Sequence, residues 1–281
     1  MLELKKKQEL LLKAREIRKD IVEMIGVGKA GHLGGSCSLA DMVTVLYFHK
    51  MKHDPSEPKK ADRDRFILSK GHAAIVQYAA LMECGYFDKE SHIHTLKNLG
   101  SKLQGHPDMR KLPGIEANTG SLGQGVSLGA GLAAGLKLDG LDSKVFVAAG
   151  DGELAEGQLW EGFMAASNFK LDNLRVIIDR NRLQATGKTE ERFPIGEIEK
   201  KMAAFGFEVM VIDGHDMDAI ADVFDRADEV KEKPVCIIAD TIKGKGVCFA
   251  EGVAAFHNGT LSQAQFSQAI QALEEVSHGN T

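Results

Sequence analysis

Residues 144–184, KVFVAAGDGELAEGQLWEGFMAASNFKLDNLRVIIDRNRLQ, constrain the fold of this chain more than any other stretch. Their first apolar run, 145–149, has no polar alternation and stops at Gly150-Asp151-Gly152, which predicts a buried parallel strand. Glu156, Trp160 and the residues from Phe163 to Phe169 follow at helical spacing, and a second apolar run, 174–178, ends at Asp179-Arg180-Asn181. The unit is β-α-β. Ligands of open α/β sheets sit just beyond the carboxyl ends of the strands, and Asp151 and Asn181 lie there, one after each strand.

A carboxylate and an amide oxygen on neighbouring strand ends are hard ligands suited to Mg²⁺, which takes one or two protein oxygens and completes its octahedron with water and phosphate oxygens. Gly150 and Gly152 let the backbone approach a diphosphate, and the amides that open the next helix point at it. An isolated Asp-Gly is a turn signal. The asparagine placed after the next strand raises this one above a turn.

The rest of the chain predicts more of the same architecture. Residues 4–25 carry apolar positions at helical spacing between Lys and Glu and read as an amphipathic helix. Residues 26–36, GVGKAGHLGGS, are too glycine-rich for an element, so His32 is expected in a loop, with Ser38 and Asp41 as a capping pair opening a helix through residue 48. Residues 65–69 read as a short buried strand that turns through Lys70-Gly71-His72 into a helix over 73–82. Lys70 and His72 therefore occupy another strand end facing a helix N-terminus, a placement suited to phosphate oxygens. His92 and His94 are expected on a polar, solvated helix.

Residues 100–120 form a long loop with His106 in its middle, and loops of that length inside a compact domain are commonly functional. A helix is expected from near Ser121, carrying Gly123, Gly125, Gly129, Gly131 and Gly135. Each glycine inside a helix costs about 1 kcal/mol against alanine, so this one should be buried tightly against its neighbours or a partner subunit. Helices over 195–205 and 217–230 alternate with strands over 207–212 and 235–239, which predicts an α/β fold with a doubly wound, mostly parallel sheet flanked by helices. Thr241-Ile242-Lys243-Gly244-Lys245-Gly246 lies past a strand end; it lacks the P-loop spacing, and no helix follows it directly. The loop runs on to Phe256-His257-Asn258 before a final amphipathic helix over 261–276.

Composition removes several classes of function. The 281 residues show no linker or composition shift and read as a single domain, 1–281. A formal charge of −5 spread over mixed-sign helices leaves no footprint for nucleic acid. The four cysteines, Cys37, Cys84, Cys236 and Cys248, form no CxxC pair and read as reduced thiols; with no secretory apolar segment at the start, a cytoplasmic location is expected. Residues 122–136 are uncharged, but their five glycines leave them too short and too weakly apolar for the ~20 residues of a membrane span.

Taken together the strand-end motifs resemble the N-terminal, thiamine-diphosphate-binding domain of transketolase, in order and at similar spacing over residues 14–259. KAGHLGGS resembles the family's first histidine loop and DRFILSKGHA the second. GHPDMRKLPGIEANTGSLGQG resembles the third, with its glycine-rich helix start. GDGELAEGQLWEG with IIDRNRLQ resembles the metal and diphosphate motif, and TIKGKG through Phe256-His257 the last. The first loop departs from the family's usual His-Pro in having His32-Leu33, a change in loop rigidity more than in chemistry.

The resemblance implies that the side chains of Asp151 and Asn181 and the Leu183 carbonyl bind Mg²⁺, or Ca²⁺ or Mn²⁺. His72, Gly152 and Lys243 would hold the diphosphate, with Lys70, Gly120, Leu122 and Glu156 also on the cofactor's side. His32 and His257 would move protons on the sugar, and His106 would hydrogen-bond near the donor's C1 hydroxyl. Glu156 and Glu161 match carboxylates at the family's subunit interface. Transketolases carry two further domains, one supplying the glutamate that activates the cofactor, and this chain ends before either. The expected protein is the N-terminal subunit of a split transketolase, pairing with a separate C-terminal chain as an α₂β₂ tetramer. It would move a two-carbon ketol unit between sugar phosphates, with xylulose 5-phosphate of the pentose phosphate pathway as the default donor and an unusual ketose phosphate as another. The other readings are a 1-deoxyxylulose-5-phosphate synthase-like half, the α subunit of a 2-oxo-acid dehydrogenase E1, and a catalytically silent cofactor-binding subunit.

Overall fold

The structure, a computed structural model, describes residues 1–275. In chain order its elements are α1 (Leu4–Ile25), β1 (Ala30–Gly31), α2 (Leu33–Val45), β2 (Arg65–Leu68), α3 (Ala74–Glu83), α4 (Gln124–Leu138), β3 (Val145–Gly150), α5 (Gly157–Asn168) and β4 (Leu174–Arg180). They continue with β5 (Leu183–Gln184), β6 (Gly187–Lys188), α6 (Thr189–Arg192), α7 (Ile198–Ala204), β7 (Glu208–Asp213), α8 (Met217–Glu229), β8 (Val235–Asp240), β9 (Gly259–Thr260) and α9 (Gln263–Glu275).

Five strands form the central sheet in the order β2-β3-β4-β8-β7, every pair parallel. Period-2 alternation sends Phe66, Leu68, Phe146, Ala148, Ile177 and Ile237 to one face, where α1, α2, α3, α8 and α9 pack. Ile67, Val145, Val147, Val176, Ile178 and Ile238 go to the other, under α4, α5 and α7. Both faces are covered, so the strands need no polar alternation and read as continuous apolar runs. The chain passes from β4 out to β7 and returns to insert β8 between them, so the carboxyl ends of β3, β4 and β8 open on one cleft.

Several boundaries differ from expectation. α2 begins at Leu33, immediately after His32, so Gly34, Gly35 and Ser36 are helical and Ser38 with Asp41 is no cap. Ser38 Oγ bonds instead to Asp179, and Asp41 to Arg18. The glycines serve close packing: a β-carbon on Gly34 would lie 2.8 Å from Lys243 Cγ. His92 precedes a single 3₁₀ turn, Ile93–Thr95, rather than lying on a longer helix. The glycine-bearing helix starts at Gln124, with Gly123 as its left-handed cap. α7 is shorter than expected because Gly196 takes φ +73° after Pro194. The hairpin of β5 with β6 was not visible in the sequence pattern. The last helix is described to Glu275, and the expected end at Val276 lies outside the described residues.

Candidate active site

The cleft at the strand ends is lined by Gly35, Lys70 and His72 from the first two motifs, Leu122, Gly150 to Glu153, Asn181, Leu183 to Ala185, Lys243 and His257. Three neighbouring strands deliver its floor in register. Gly150 at the end of β3 faces Asp179 of β4, and Arg180 faces Asp240 of β8. Asp151 and Asn181 follow directly and are buried, at 4% and 8% exposure, so each is held in place rather than waving in solvent.

Their oxygens are oriented by the backbone. Asp151 Oδ1 accepts from the Gly152 N–H (2.9 Å) and Oδ2 from the Arg182 N–H (2.8 Å). Burial, with the nearby Asp179 charge, pushes its pKa up from the ordinary carboxylate value. Asn181 donates from Nδ2 to Asp179 Oδ2 (3.2 Å), which fixes the amide so that Oδ1 accepts from the Leu183 N–H (3.1 Å). The Leu183 carbonyl accepts from Lys243 Nζ at 2.8 Å. These are hard oxygen donors, and one already holds an ammonium, so the residues present fit a small divalent cation bridging a phosphate.

Beneath the floor sits a carboxylate that sequence reasoning missed. Asp179 is fully buried and accepts from Lys70 Nζ, Thr241 Oγ1, Ser38 Oγ (2.6 Å) and Asn181. Burial raises its pKa, but the Lys70 charge and these hydrogen bonds outweigh that and hold it below the ordinary value. Lys70 thus lines the cleft with its ammonium already engaged by Asp179 and the Gly35 carbonyl (2.7 Å). Glu153 is the second missed group: buried, it accepts from Ser69 Oγ (2.5 Å) and from the Gly123 (2.9 Å) and Gly150 (3.1 Å) N–H groups, pinning the start of α4 to the end of β3. No spacing signal marks either, because the partners that make them buriable lie far away in sequence.

Four imidazoles gather at the cleft and its mouth. The His32 ring centroid lies 5.1 Å from His72, 5.4 Å from His257 and 6.5 Å from the exposed His106, and His72 lies 5.0 Å from His257. The antiparallel pairing of β1 with β9 explains part of this, since it sets the residues just before His32 beside those just after His257. Burial first, and the surrounding positive charges second, lowers His32 and His257 to about 4 and His72 to about 2. All three rings are neutral near pH 7, each with one N–H donor and one bare acceptor nitrogen. His257 Nδ1 is buried without a hydrogen-bond partner among the described residues. His106 packs on Gly120, whose φ of +146° leaves no room for a β-carbon, which would lie 2.8 Å from the ring.

Lys243 reaches the cleft from a loop that is braced from behind. Arg18 grips Asp41 through Nη1 and Nη2 (2.8 and 2.6 Å) and donates from Nε to the Lys245 carbonyl (2.9 Å). His215 donates from Nδ1 to Asp41 (2.7 Å) and accepts at Nε2 from the Ile242 N–H (2.8 Å). Burial lowers Lys243 to about 8, with Lys70 adding to the shift and Asp179 and Asp151 opposing it. Glu156 stands apart from the cleft: it is the exposed cap residue of α5, and Gly123 backs onto its side chain. Glu161 is likewise exposed on α5.

Residues 7–274 match the family model described as transketolase, thiamine diphosphate binding domain. The chain is 42% identical over 268 residues to one of the subunits of the apulose-4-phosphate transketolase of Phocaeicola vulgatus, covering 95% of each chain. It is 42% identical over 267 residues to the 6-deoxy-6-sulfo-D-fructose transketolase subunit SqwG of a Clostridium species, covering 95% of this chain and 97% of that one. The crystal structure of transketolase from Campylobacter jejuni superposes with a TM-score of 0.89 at 34% identity over 95% of this chain and 43% of that one. The chain therefore spans nearly the whole of the two subunits but less than half of the solved transketolase.

Proposed function

The chain belongs to the transketolase family as its thiamine diphosphate-binding domain, and from that premise we propose that it is the N-terminal subunit of a two-chain transketolase. The observation that carries this reading is the convergence of His32, His72, His257 and Lys243 on the same cleft as the oxygens of Asp151, Asn181 and Leu183. When bound, thiamine diphosphate supplies the carbon centre that takes up a two-carbon ketol unit. His72, Lys243 and Gly152 would hold its diphosphate, with Gly120 and Leu122 on the same side. Asp151, Asn181 and the Leu183 carbonyl would hold Mg²⁺. Lys70 acts from beneath, neutralising Asp179 so that the floor of the site stays rigid.

The neutral histidines suit proton traffic on a sugar. His32 and His257 each present a donor and an acceptor nitrogen, so they can take a proton from a hydroxyl and return it to a carbonyl oxygen. His106, at the mouth, orients the C1 hydroxyl. The glutamate that activates the cofactor comes from a separate C-terminal chain, and the two form an α₂β₂ tetramer in which Glu156 and Glu161 lie at a subunit interface. Two relatives that match this chain end to end are named for apulose 4-phosphate and for 6-deoxy-6-sulfo-D-fructose, which favours a specialised anionic ketose as the donor.

Reconstitution tests the reading. This chain and its partner are assayed together for ketol transfer from xylulose 5-phosphate, apulose 4-phosphate and 6-deoxy-6-sulfofructose to an aldose phosphate, with and without thiamine diphosphate and Mg²⁺. Transfer should need both chains and both cofactors, and Asp151→Ala should abolish it. Cofactor binding without transfer from any of the three would overturn the ketol-transfer reading and leave the binding domain standing.

A further inference from the structure

One buried carboxylate holds both ends of the segment that carries Lys243. Residues 242–245 lie past the end of β8 in neither helix nor strand, so hydrogen bonds to other elements must fix their course. At the near end the Ile242 N–H donates to His215 Nε2, and Nδ1 of the same ring donates to Asp41 Oδ2. At the far end the Lys245 carbonyl accepts from Arg18 Nε, and the two remaining guanidinium nitrogens close on the same Asp41. Burial pushes the Asp41 pKa up, but the Arg18 charge and the hydrogen bonds from His215 and Arg18 outweigh that and bring it down to about 2. Gly246, at φ +87°, lets the backbone close on Arg18, whose Cδ would lie 2.8 Å from a β-carbon there.

Lys243 needs such a hold. It is 2% exposed, its one hydrogen bond among the described residues goes to a neutral carbonyl, and burial lowers its pKa to about 8. An ammonium so placed is drawn toward water, and a fixed backbone keeps it in the cleft until an anion arrives. The His215 ring, by contrast, is not needed by its own element. The turn from β7 into α8 is closed by the His215 N–H on Asp213 Oδ1 (2.9 Å) and the Gly214 N–H on the Asp240 carbonyl (2.8 Å), and Asp216 caps α8. A β-carbon on Gly214 would lie 2.5 Å from Thr241 Cγ2 and 3.1 Å from Ala239 Cβ. Glycine therefore lets the turn press on the end of β8, which brings the ring within reach of Ile242. Accepting a backbone N–H at Nε2 leaves the ring proton on Nδ1, where Asp41 takes it.

We infer that His215 is a positioning residue for the diphosphate site, coupling the Asp41 carboxylate to the Ile242 N–H so that Lys243 is set in the cleft before a phosphate binds. His215 does not line the cleft and acts through Lys243. Fixing the segment in advance lowers the ordering cost of binding, so the effect belongs in the affinity for the cofactor. The inference rests on the reading of Lys243 as a diphosphate ligand.

The test is a double-mutant cycle read by calorimetric titration of the reconstituted two-chain complex with thiamine diphosphate in saturating Mg²⁺. His215→Asn keeps a donor for Asp41, but its short amide cannot also accept from Ile242, and it should weaken binding by about 10-fold, the effect of one lost hydrogen bond. His215→Gln, long enough to offer both the donor and the acceptor, should recover most of that loss. In a Lys243→Met background His215→Asn should change the Kd by less than about 2-fold, because the group it positions is gone. An equal loss in both backgrounds would show that the ring serves the fold at large, and the inference falls. It falls as well if His215→Asn binds as tightly as wild type while Lys243→Met binds weakly. If Lys243→Met itself binds like wild type, the reading of Lys243 as a diphosphate ligand fails and takes the inference with it.

Discussion

At the scale of single residues the site depends on charges removed from water. Asp179 and Lys70 are exposed by 0% and 2%, and such a pair is stable because Ser38, Thr241, Asn181 and the Gly35 carbonyl hydrogen-bond to it as well; removing one member typically costs about 3–5 kcal/mol. The histidines use burial differently, since it strips their protons. His72, near 6.5 in the unfolded chain and about 2 when folded, binds a proton in the unfolded state first. Its depressed value means that stability present above the unfolded pKa is lost as pH falls below about 6.5. Carboxylates such as Asp20, pushed up to about 7 by burial, work in the opposite direction, so the total curve mixes signs. A difference isolates the histidine: relative to His72→Asn, wild type should lose about 1.4 kcal/mol per pH unit between about pH 6 and 4, measured by urea unfolding. Parallel curves for the two proteins would show that His72 is not held neutral by the fold. Asp151 and Asn181 were legible as polar residues just past two strand ends; Asp179 stood in the same stretch, directly after the apolar run, but nothing there showed that it is buried. Its burial is licensed by Ser38 and Lys70, residues that only the folded sheet brings to it.

At the scale of elements the apolar runs set the parallel sheet plainly, and the glycines were the harder text. In α2 they allow a helix where composition argues for a loop, because Gly34 leaves space for the Lys243 side chain and its carbonyl accepts from the Gly244 N–H (2.9 Å). In α4 the expectation of tight packing holds for half of them. A β-carbon on Gly125 would lie 2.5 Å from Ser69 and one on Gly129 2.4 Å from Val147, whereas Gly131 and Gly135 have nothing within 4 Å. Sequence cannot separate these cases, since all four lie in one helix and only its contact face differs. Alanine should therefore split them. In the isolated chain Gly129→Ala should destabilise by about 1–3 kcal/mol through overpacking. Gly131→Ala should stabilise by up to about 1 kcal/mol through helix propensity. Denaturation midpoints decide, and similar shifts at both positions would mean that α4 does not present these faces.

At the scale of the whole molecule those open glycines become informative again. α4 exposes Leu128 and Gly131, and α5 exposes Glu161 and Met164, while Gly162 and Gln158 bind the two helices together against Ser127. The result is a broad face with two helices, little charge and small residues where the isolated chain gains nothing from them. Retaining glycine there costs helix stability, and a partner surface packed against the helix backbone offsets that cost. The proposed tetramer needs interfaces on the order of 2,000 Å² each, and a two-helix face of this kind is a candidate for one of them. Gly131→Leu is the discriminating substitution, because the position is open in the fold and the variant chain alone should be at least as stable to denaturant as wild type, leucine favouring the helix over glycine. Mixed with the C-terminal chain, wild type should run at the mass of an α₂β₂ tetramer by light scattering, and Gly131→Leu should shift the complex toward smaller species. A Gly131→Leu chain that assembles normally would move the interface away from α4, leaving its outward glycines as a helix cost with no structural return.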